Sequence, residues 1–376
     1  SQIAGIIVGA LLYFSLVYFV DRGLKTSSRV LFRYVAAAAT TGLFFLGVNR
    51  LIDDHARGVD VSKAMIAITA AACVFYEAHR AGQQRPVAER WKKFIGVTLG
   101  VVAIVLYFNG FKFGYKKYYH RWDQYHYYMG AKYFREMGYD GLYKCSVIAQ
   151  EELGTITYEQ DNGKTARLDM KKEVRHPDKK IRNLGGDNLL MPAAEVLDNP
   201  AICKDRFSAE RWEAYKEDVK FFRTQSDKGY WEDMQKDHGY NPPPVWTVGG
   251  YFLAGLSPAT VPYLQFLASL DLFYLFGMFA ALWWAFGWRV FAVGAIFWGC
   301  QASAPFYWTG GAFLRQDWLF FLVLSACFVR KKYFALAGAA MVYAGLLRIF
   351  PGLAVVGWLV VAGAYIVRHK RMAKDH

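Results

Sequence analysis

Charged residues are scarce in this 376-residue chain, since Asp, Glu, Lys and Arg together make up 20% of it, against about 25% in an ordinary soluble domain. The chain also lacks a Walker A loop, a Rossmann glycine fingerprint and any cysteine pattern for haem or iron–sulfur clusters. Apolar residues instead make up 55%, with 12 Trp, 25 Tyr and 29 Phe. This composition excludes a disordered or disulfide-dense chain and argues against a wholly soluble enzyme. The missing motifs argue against a nucleotide-using or redox enzyme.

The net charge of +14 is unevenly placed. Residues 115–242 carry 22 basic and 22 acidic groups, which leaves 23 basic and 9 acidic groups for the rest of the chain. The excess therefore lies in loops between apolar segments, which is the positive-inside pattern of membrane proteins. We expect membrane lipids as partners and no nucleic acid.

Nine segments are apolar enough to be interpreted as membrane spans, for which about 20 residues are needed. They are 1–20, 30–48, 62–78, 94–112, 260–286, 290–309, 314–329, 332–348 and 352–367. Segment 241–258 is apolar but broken by Gly and Pro, which is typical of a re-entrant piece. The sequence therefore predicts an α-helical integral membrane protein with about nine transmembrane helices and a large extramembrane loop domain.

Three regions follow from this pattern. They are a four-helix transmembrane region at 1–114, an outer-face loop domain at 115–242, and a C-terminal transmembrane region at 243–376. Placing the basic loops inside puts 115–242 outside the cytoplasm, and we expect a bacterial inner membrane. An oxidising outer space would allow Cys145 and Cys203 to form a disulfide, although their spacing proves nothing.

Within the loop domain, apolar residues at helical spacing predict an amphipathic helix in 206–225. A second helix, 123–136, is expected to lie on the membrane and to present Asp123, Tyr127, Gly130 and Phe134 on one face. A carboxylate at such an interface is suited to act as general base on a sugar hydroxyl. The alternative interpretation is that Asp123 is a helix N-cap.

Two further acidic patterns have functional interpretations. His120, Asp123 and His126 are spread too widely around a helix for a good three-ligand metal site, so no metal is expected. Asp271 lies in the middle of a predicted span, where an acid is costly and often functional, although it could instead accept hydrogen bonds from a neighbouring helix.

The order of motifs resembles the GT-C glycosyltransferases, and most closely glycosyltransferase family 87, the polyprenol-phosphate-dependent mannosyltransferases. In the loop domain the resemblance is carried by an acid, a Tyr-rich helix, a Gly and a Tyr, namely Asp123, Tyr127, Ala131, Gly138 and Tyr143. The later elements are Tyr240–Pro244, Gly310–Asp317, Arg330–Lys332, and Ala337-Gly338 with Arg348 and Pro351. The resemblance covers roughly 115–365.

The resemblance implies a GT-C-like fold and transfer of a sugar from a polyprenyl-phosphate lipid to an acceptor at the outer face, without a further cofactor. Asp123 would be the general base. The substrate and its phosphate would be bound by Arg348, Arg315, Gln316, Tyr127 and His126. An Arg can bind phosphate through two hydrogen bonds. The alternative for Arg348 is that its side chain merely extends to the lipid headgroups. The alternative for Arg315 is a local ion pair with Asp317.

The chain also departs from the family pattern, because three additional predicted spans precede the acidic loop. A second hypothesis is therefore a non-catalytic membrane subunit of a larger complex, with other membrane subunits as partners. In that case we expect the surroundings of Asp123 to be filled by the chain's own side chains or by a partner.

Overall fold

The computed structural model describes residues 55–111, 116–160 and 162–372. The predicted spans 1–20 and 30–48 lie outside the described residues. The described residues belong to two compact units, and each is treated by itself. Unit 1 comprises 55–111, 276–309 and 326–333, and unit 2 comprises 116–160, 162–275, 310–325 and 334–372.

Helices account for most of the described residues. The α-helices are α1 His55–Gly82, α2 Glu89–Tyr107, α3 Arg121–Gln124, α4 Gly130–Lys132, α5 Phe134–Met137, α6 Leu142–Leu153, α7 Met170–Val174, α8 Ala193–Leu197, α9 Ala201–Lys204, α10 Ala209–Thr224, α11 Lys228–Met234, α12 Pro244–Gly255, α13 Val261–Phe286, α14 Trp288–Cys300, α15 Phe306–Thr309, α16 Asp317–Arg330, α17 Phe334–Leu347 and α18 Ile349–His369. Short 3-10 helices cover Asn109–Phe111 and Lys116–Tyr118, and a π-helix covers Tyr125–Met129. The strands are β1 Thr155–Glu159, β2 Thr165–Asp169, β3 Lys180–Arg182 and β4 Leu190–Pro192.

Three of the described helices are long and apolar enough to cross a membrane. They are Gly58–Gly82 within α1, Val261–Phe286 (α13) and Ile349–His369 (α18). The side chains of α18 are largely exposed, with Val360 65% exposed, as expected for a surface that lipid covers. The predicted spans 62–78, 260–286 and 352–367 lie within these three helices, and the chain is therefore described as a helical membrane protein.

Other predicted spans correspond to shorter helices. Helices α14, α16 and α17 have 13, 14 and 14 residues, which is about 20 Å of a hydrocarbon core of about 30 Å. The span predicted at 290–309 is too long, because α14 ends at Cys300 and the next residue, Gln301, is extended. Helix α2 likewise ends at Tyr107, ahead of the predicted limit at 112.

Unit 1 is held together by close packing of α2 on α14. The contact is lined by small residues, since a Cβ on Gly100 would lie 3.2 Å from Cβ of Ala295. A Cβ on Gly299 would lie within 2.7 Å of three atoms of Ala103, two of them backbone atoms. Small residues let two helices approach closely, which is the usual way in which membrane helices associate.

We expect Gly299→Ala to destabilise the protein by about 1–3 kcal/mol, because the new methyl group would overlap the backbone of α2. The matched control is Gly338→Ala in α17, where a Cβ meets no atom within 4 Å. That control should be neutral or stabilising, since Ala has the higher helix propensity. Thermal unfolding of both variants in detergent checks this, and equal melting temperatures would contradict the packing argument.

Unit 2 has an aromatic core. Its largest fully buried side chains include Tyr125, Tyr128, Tyr133, Tyr143, Tyr215, Phe222 and Trp231. The amphipathic helix predicted in 206–225 is confirmed as α10. Its buried face contributes Trp212, Tyr215, Val219 and Phe222 to this core, and Ser208 caps its first turn.

Two antiparallel hairpins and a disulfide complete the polar part of unit 2. Strand β1 pairs with β2, Thr155 opposite Asp169, and β3 pairs with β4, Lys180 opposite Pro192. Cys145 of α6 and Cys203 of α9 form a disulfide with a Cα–Cα distance of 5.4 Å. The disulfide attaches the short helix α9 to the buried helix α6.

Candidate functional site

The helix that carries Asp123 is interrupted by a π-turn. Helix α3, the π-helix Tyr125–Met129 and α4 follow each other without a gap, and Tyr133 breaks the helix before α5. Such turns shift side chains around the helix and are frequent at functional sites. Three residues of the predicted face, Tyr127, Gly130 and Phe134, all pack against the ring of Tyr240.

Asp123 is not the N-cap of this helix, so that alternative is wrong. His120 is the cap, with φ −84° and ψ 97°, and its Nδ1 accepts the backbone N–H of Asp123 at 3.2 Å. Because the imidazole provides the cap, the Asp123 carboxylate remains available for other partners. We did not anticipate this role, since histidine is not among the usual capping residues.

The carboxylate of Asp123 forms an ion pair with the guanidinium of Arg315, 192 positions away in sequence. Asp123 is 8% exposed and the Arg315 side chain 27% exposed. An Arg–carboxylate pair of this kind is a charge-assisted hydrogen bond. Two residues of the predicted site are therefore in direct contact.

The segment that carries Arg315 is held by the helix of Asp123. The carbonyl oxygen of Gly311 accepts the backbone N–H of His120 at 2.8 Å and the side-chain amide of Gln124 at 3.2 Å. Gly311 has φ +73°, a conformation that glycine adopts without strain. The predicted Gly310–Asp317 motif thus includes a turn that requires glycine.

Asp271 fixes the same segment from the other side. Its Oδ1 accepts the backbone N–H groups of Arg315 at 3.0 Å and Gln316 at 2.8 Å, and the residue is 0% exposed. Of the two interpretations of this buried acid, the structure therefore shows the acceptor of a neighbouring segment. Gln316 is buried as well, and it contacts Asp271 through its backbone.

Arg348 is close to a different part of the predicted site. It is the single extended residue between α17 and α18, with φ −145° and ψ 139°. Its guanidinium is near enough for its charge to act on the Tyr127 hydroxyl and on the buried carboxyl of Asp317. The Tyr127 hydroxyl also donates to Oδ1 of Asn241 at 3.4 Å. Burial raises the pKa of Tyr127 and the charge of Arg348 opposes this.

Three buried oxygen atoms near the 310–317 segment have no hydrogen-bond partner within the described part of the chain. They are Oε1 of Gln124, Oδ2 of Asp271 and Oδ2 of Asp317. Unsatisfied buried acceptors of this kind are normally satisfied by ordered water or by donors of a ligand. The surroundings of Arg315 therefore have spare capacity to accept hydrogen bonds from hydroxyl groups.

His126 is a core residue and is not one of the groups that this arrangement presents to a ligand. It is 2% exposed, its Nδ1 lies 2.7 Å from the carbonyl oxygen of Trp122, and its Nε2 lies 2.7 Å from the Tyr143 hydroxyl. Burial lowers its pKa. Both ring nitrogens of His126 are thus engaged within the core, and its role in substrate binding stays a prediction. Among the described residues, no group of three or more His, Cys, Asp or Glu side chains is arranged to hold a metal ion.

The His120 cap makes the site sensitive to acid. Burial, with the nearby Arg315 charge, lowers the pKa of His120 to about 4, from about 6.5 in the unfolded chain. The neutral imidazole thus contributes stability that is fully present above pH 6.5 and is lost as the pH falls towards 4, about 3 kcal/mol in all. We expect the protection of the Asp123 amide from hydrogen exchange, relative to its intrinsic rate at the same pH, to fall in this window in the wild type but not in His120→Asn, whose side chain caps without titrating. An identical pH dependence in both proteins would exclude His120 as the cause.

Comparison with protein-family models, with curated proteins and with solved structures finds no match for this chain. The resemblance to a glycosyltransferase family therefore rests on the motifs alone and stays a prediction. What the structure adds is the ion pair between Asp123 and Arg315, the support of the Arg315 segment by buried Asp271, and the charge of Arg348 near Tyr127.

Proposed function

We propose that the chain is a membrane glycosyltransferase that takes a sugar from a polyprenyl-phosphate donor and passes it to an acceptor hydroxyl at the outer membrane surface. The observation that carries the proposal is the contact of a candidate base, Asp123, with a candidate phosphate ligand, Arg315. Arg348 supplies a second cation beside Tyr127, which lies one π-turn further along the same helix.

The chemistry needs one base and a site for a developing phosphate charge. The acceptor oxygen attacks the anomeric carbon and loses its proton to the Asp123 carboxylate. The bond between the anomeric carbon and the phosphate oxygen breaks, and its electron pair stays on the lipid phosphate. Arg315 and Arg348 would stabilise that charge through bidentate hydrogen bonds, as guanidinium groups do.

The ion pair gives this reaction an order of events. In the free protein Arg315 neutralises Asp123. The monoanionic phosphodiester of the donor would compete for the same guanidinium, because phosphate and carboxylate use the same donor geometry. Binding of the donor would thus release the Asp123 carboxylate to accept a proton, so the base becomes active only when the donor is in place.

The proposal includes a location. We propose that about nine spans anchor the chain in a bacterial inner membrane and that 115–242 lies outside the cytoplasm. The disulfide between Cys145 and Cys203 supports this orientation, because disulfides persist in oxidising compartments and are rare in the cytosol. The three long apolar helices support the membrane location.

A lipid measurement tests the donor site. We expect the purified full chain to retain one polyprenyl phosphate in native mass spectrometry, and Arg348→Ala to retain at least about tenfold less, since a hydrogen bond to a charged group contributes about 1.5–3 kcal/mol. The matched control is Arg368→Ala, at the opposite end of the same helix α18 and exposed. Equal retention by the two variants would argue against Arg348 as a phosphate ligand.

A second function, the non-catalytic subunit of a membrane complex, is favoured by one specific observation. Asp123 is buried and its carboxylate is bound by the chain's own Arg315, as that hypothesis requires. The same native spectra separate the two hypotheses. Stoichiometric partner proteins together with bulk phospholipid only would support the subunit, whereas a bound polyprenyl phosphate would support the enzyme.

A further inference from the structure

Unit 1 contains a cavity of about 600 Å³ between α1, α2 and α14, a volume typical of small-molecule and lipid sites. Its walls are almost entirely apolar. Along α1 the lining runs from Ala67 to Glu77, a length of about 15 Å at 1.5 Å per residue. That length is about half of a hydrocarbon core of about 30 Å, so the cavity has the depth of one membrane leaflet.

The cavity opens towards the apolar exterior of unit 1. Val293 and Phe297 line it and are 68% and 76% exposed. Exposed apolar residues of this kind on a membrane helix face lipid tails. A hydrocarbon chain could therefore enter from the bilayer without crossing any polar surface.

One end of the cavity is charged. Glu77, Lys92 and Arg289 line it there, with Lys92 Nζ 2.5 Å and Arg289 Nη1 3.6 Å from Oε1 of Glu77. Glu89 lies 2.8 Å from Nη2 of Arg289. A guanidinium and an ammonium held side by side can each give a remaining donor to a phosphate.

The surroundings of this end are strongly basic. Between Glu77 and Lys93, together with Arg289, there are six basic and two acidic residues. Arg90 lies over the ring of Trp91 and Lys93 over the ring of Trp283, and Trp288 lines the cavity itself. Tryptophans interleaved with Lys and Arg mark the headgroup level of a membrane. The positive charge of this end and its position at the headgroup level therefore match the headgroup of an anionic lipid.

We propose that this cavity binds one acyl chain of an anionic phospholipid, with the lipid phosphate at Lys92 and Arg289. Two features specify a bilayer lipid: the apolar walls and a depth of about one leaflet. The excess of positive charge at the headgroup level specifies that this lipid is negatively charged. The site lies within unit 1 and is independent of the proposed glycosyl transfer.

Two free cysteines allow a test on the unmodified protein. Cys73 and Cys300 line the cavity, whereas Cys327 does not. We expect phosphatidylglycerol in mixed micelles to slow alkylation of Cys73 and Cys300 by N-ethylmaleimide at least fivefold. Phosphatidylcholine should slow it less, and Cys327, which is fully buried, should stay unlabelled in both lipids. Equal protection by the two lipids would overturn recognition of the headgroup.

A variant that fills the cavity gives a second readout. Ala71→Phe places a ring in the cavity, and Ala64→Phe is the matched control, exposed on the same helix but outside the lining. Native mass spectrometry in phosphatidylglycerol should show one tightly retained lipid on the wild type and on the control, and loss of that lipid from Ala71→Phe. Unchanged retention would overturn the site. A polyprenyl phosphate that Ala71→Phe displaces, or cross-links from Cys73 to residues 1–54, would identify a different occupant and overturn the proposal equally.

Discussion

Asp123→Asn is expected to lower sugar transfer by about 10²- to 10⁴-fold, the usual contribution of a general base. The substitution removes the proton acceptor but keeps an oxygen that can accept a hydrogen bond from Arg315. Because the Arg315 side chain is 27% exposed, its charge retains contact with water and the fold should survive. The assay is transfer from a synthetic polyprenyl-phosphate sugar, with thermal unfolding measured in parallel.

The control for this variant is Asp140→Asn. Asp140 lies in the same unit and also faces an arginine, with Arg206 Nη1 3.9 Å from Oδ1 of Asp140, and both of these side chains are exposed. We expect full transfer from this control. Full transfer from Asp123→Asn would end the assignment of the base, whereas loss of transfer together with loss of folding would require the comparison to be repeated with Asp123→Glu.

The long apolar helices were predictable because composition alone decides them. A run such as 260–286 carries one charge in more than twenty residues, and only a helix satisfies its backbone within a membrane. The ends of shorter segments were not predictable in this way. Helix α14 ends at Cys300, directly before Gln301, Ser303 and Pro305, so polar residues and a proline rather than the mean hydropathy of 290–309 mark its end.

The pairing of residues within the candidate site was not predictable from the sequence. Asp123 and Arg315 are brought together across 192 positions by the turn at Gly311 and by Asp271, and no local pattern encodes such a contact. The sequence suggested Asp317 as the partner of Arg315 because it is nearby in the chain. The π-turn between Asp123 and His126 was not predictable either, because no local pattern in 120–129 encodes it.

The helix of Asp123 and Tyr127 is anchored at its other end by a buried charge pair. Nζ of Lys132 donates to Oδ2 of Asp218 at 2.7 Å, and also to the Tyr128 hydroxyl and to the carbonyl oxygen of Ser257. Oδ2 of Asp218 also accepts a hydrogen bond from the Tyr133 hydroxyl. The other carboxylate oxygen, Oδ1, accepts the backbone N–H of Ala259. Burial lowers the pKa of Lys132 and the charge of Asp218 opposes this.

We expect Asp218→Ala to destabilise the protein by about 3–5 kcal/mol, the usual cost of leaving one partner of a buried pair without the other. Asp218 is 1% exposed and Lys132 is 6% exposed, so water cannot replace the lost carboxylate. The matched control is Glu217→Ala, one residue earlier on α10, where the carboxylate pairs with Lys220 at the surface. An exposed pair of this kind contributes about 0.2–1 kcal/mol.

Thermal unfolding in detergent measures the loss, and hydrogen exchange shows where it acts. The Asp218→Ala variant should exchange faster at residues 130–133, because the end of the helix loses its anchor, and Glu217→Ala should not. The double variant Lys132→Met, Asp218→Leu should lose less stability than the two single changes added together, since an apolar pair no longer buries an unpaired charge. Additive losses would mean that the two residues act separately, and the anchor of the Asp123 helix would then have to be sought in the aromatic core around Tyr128.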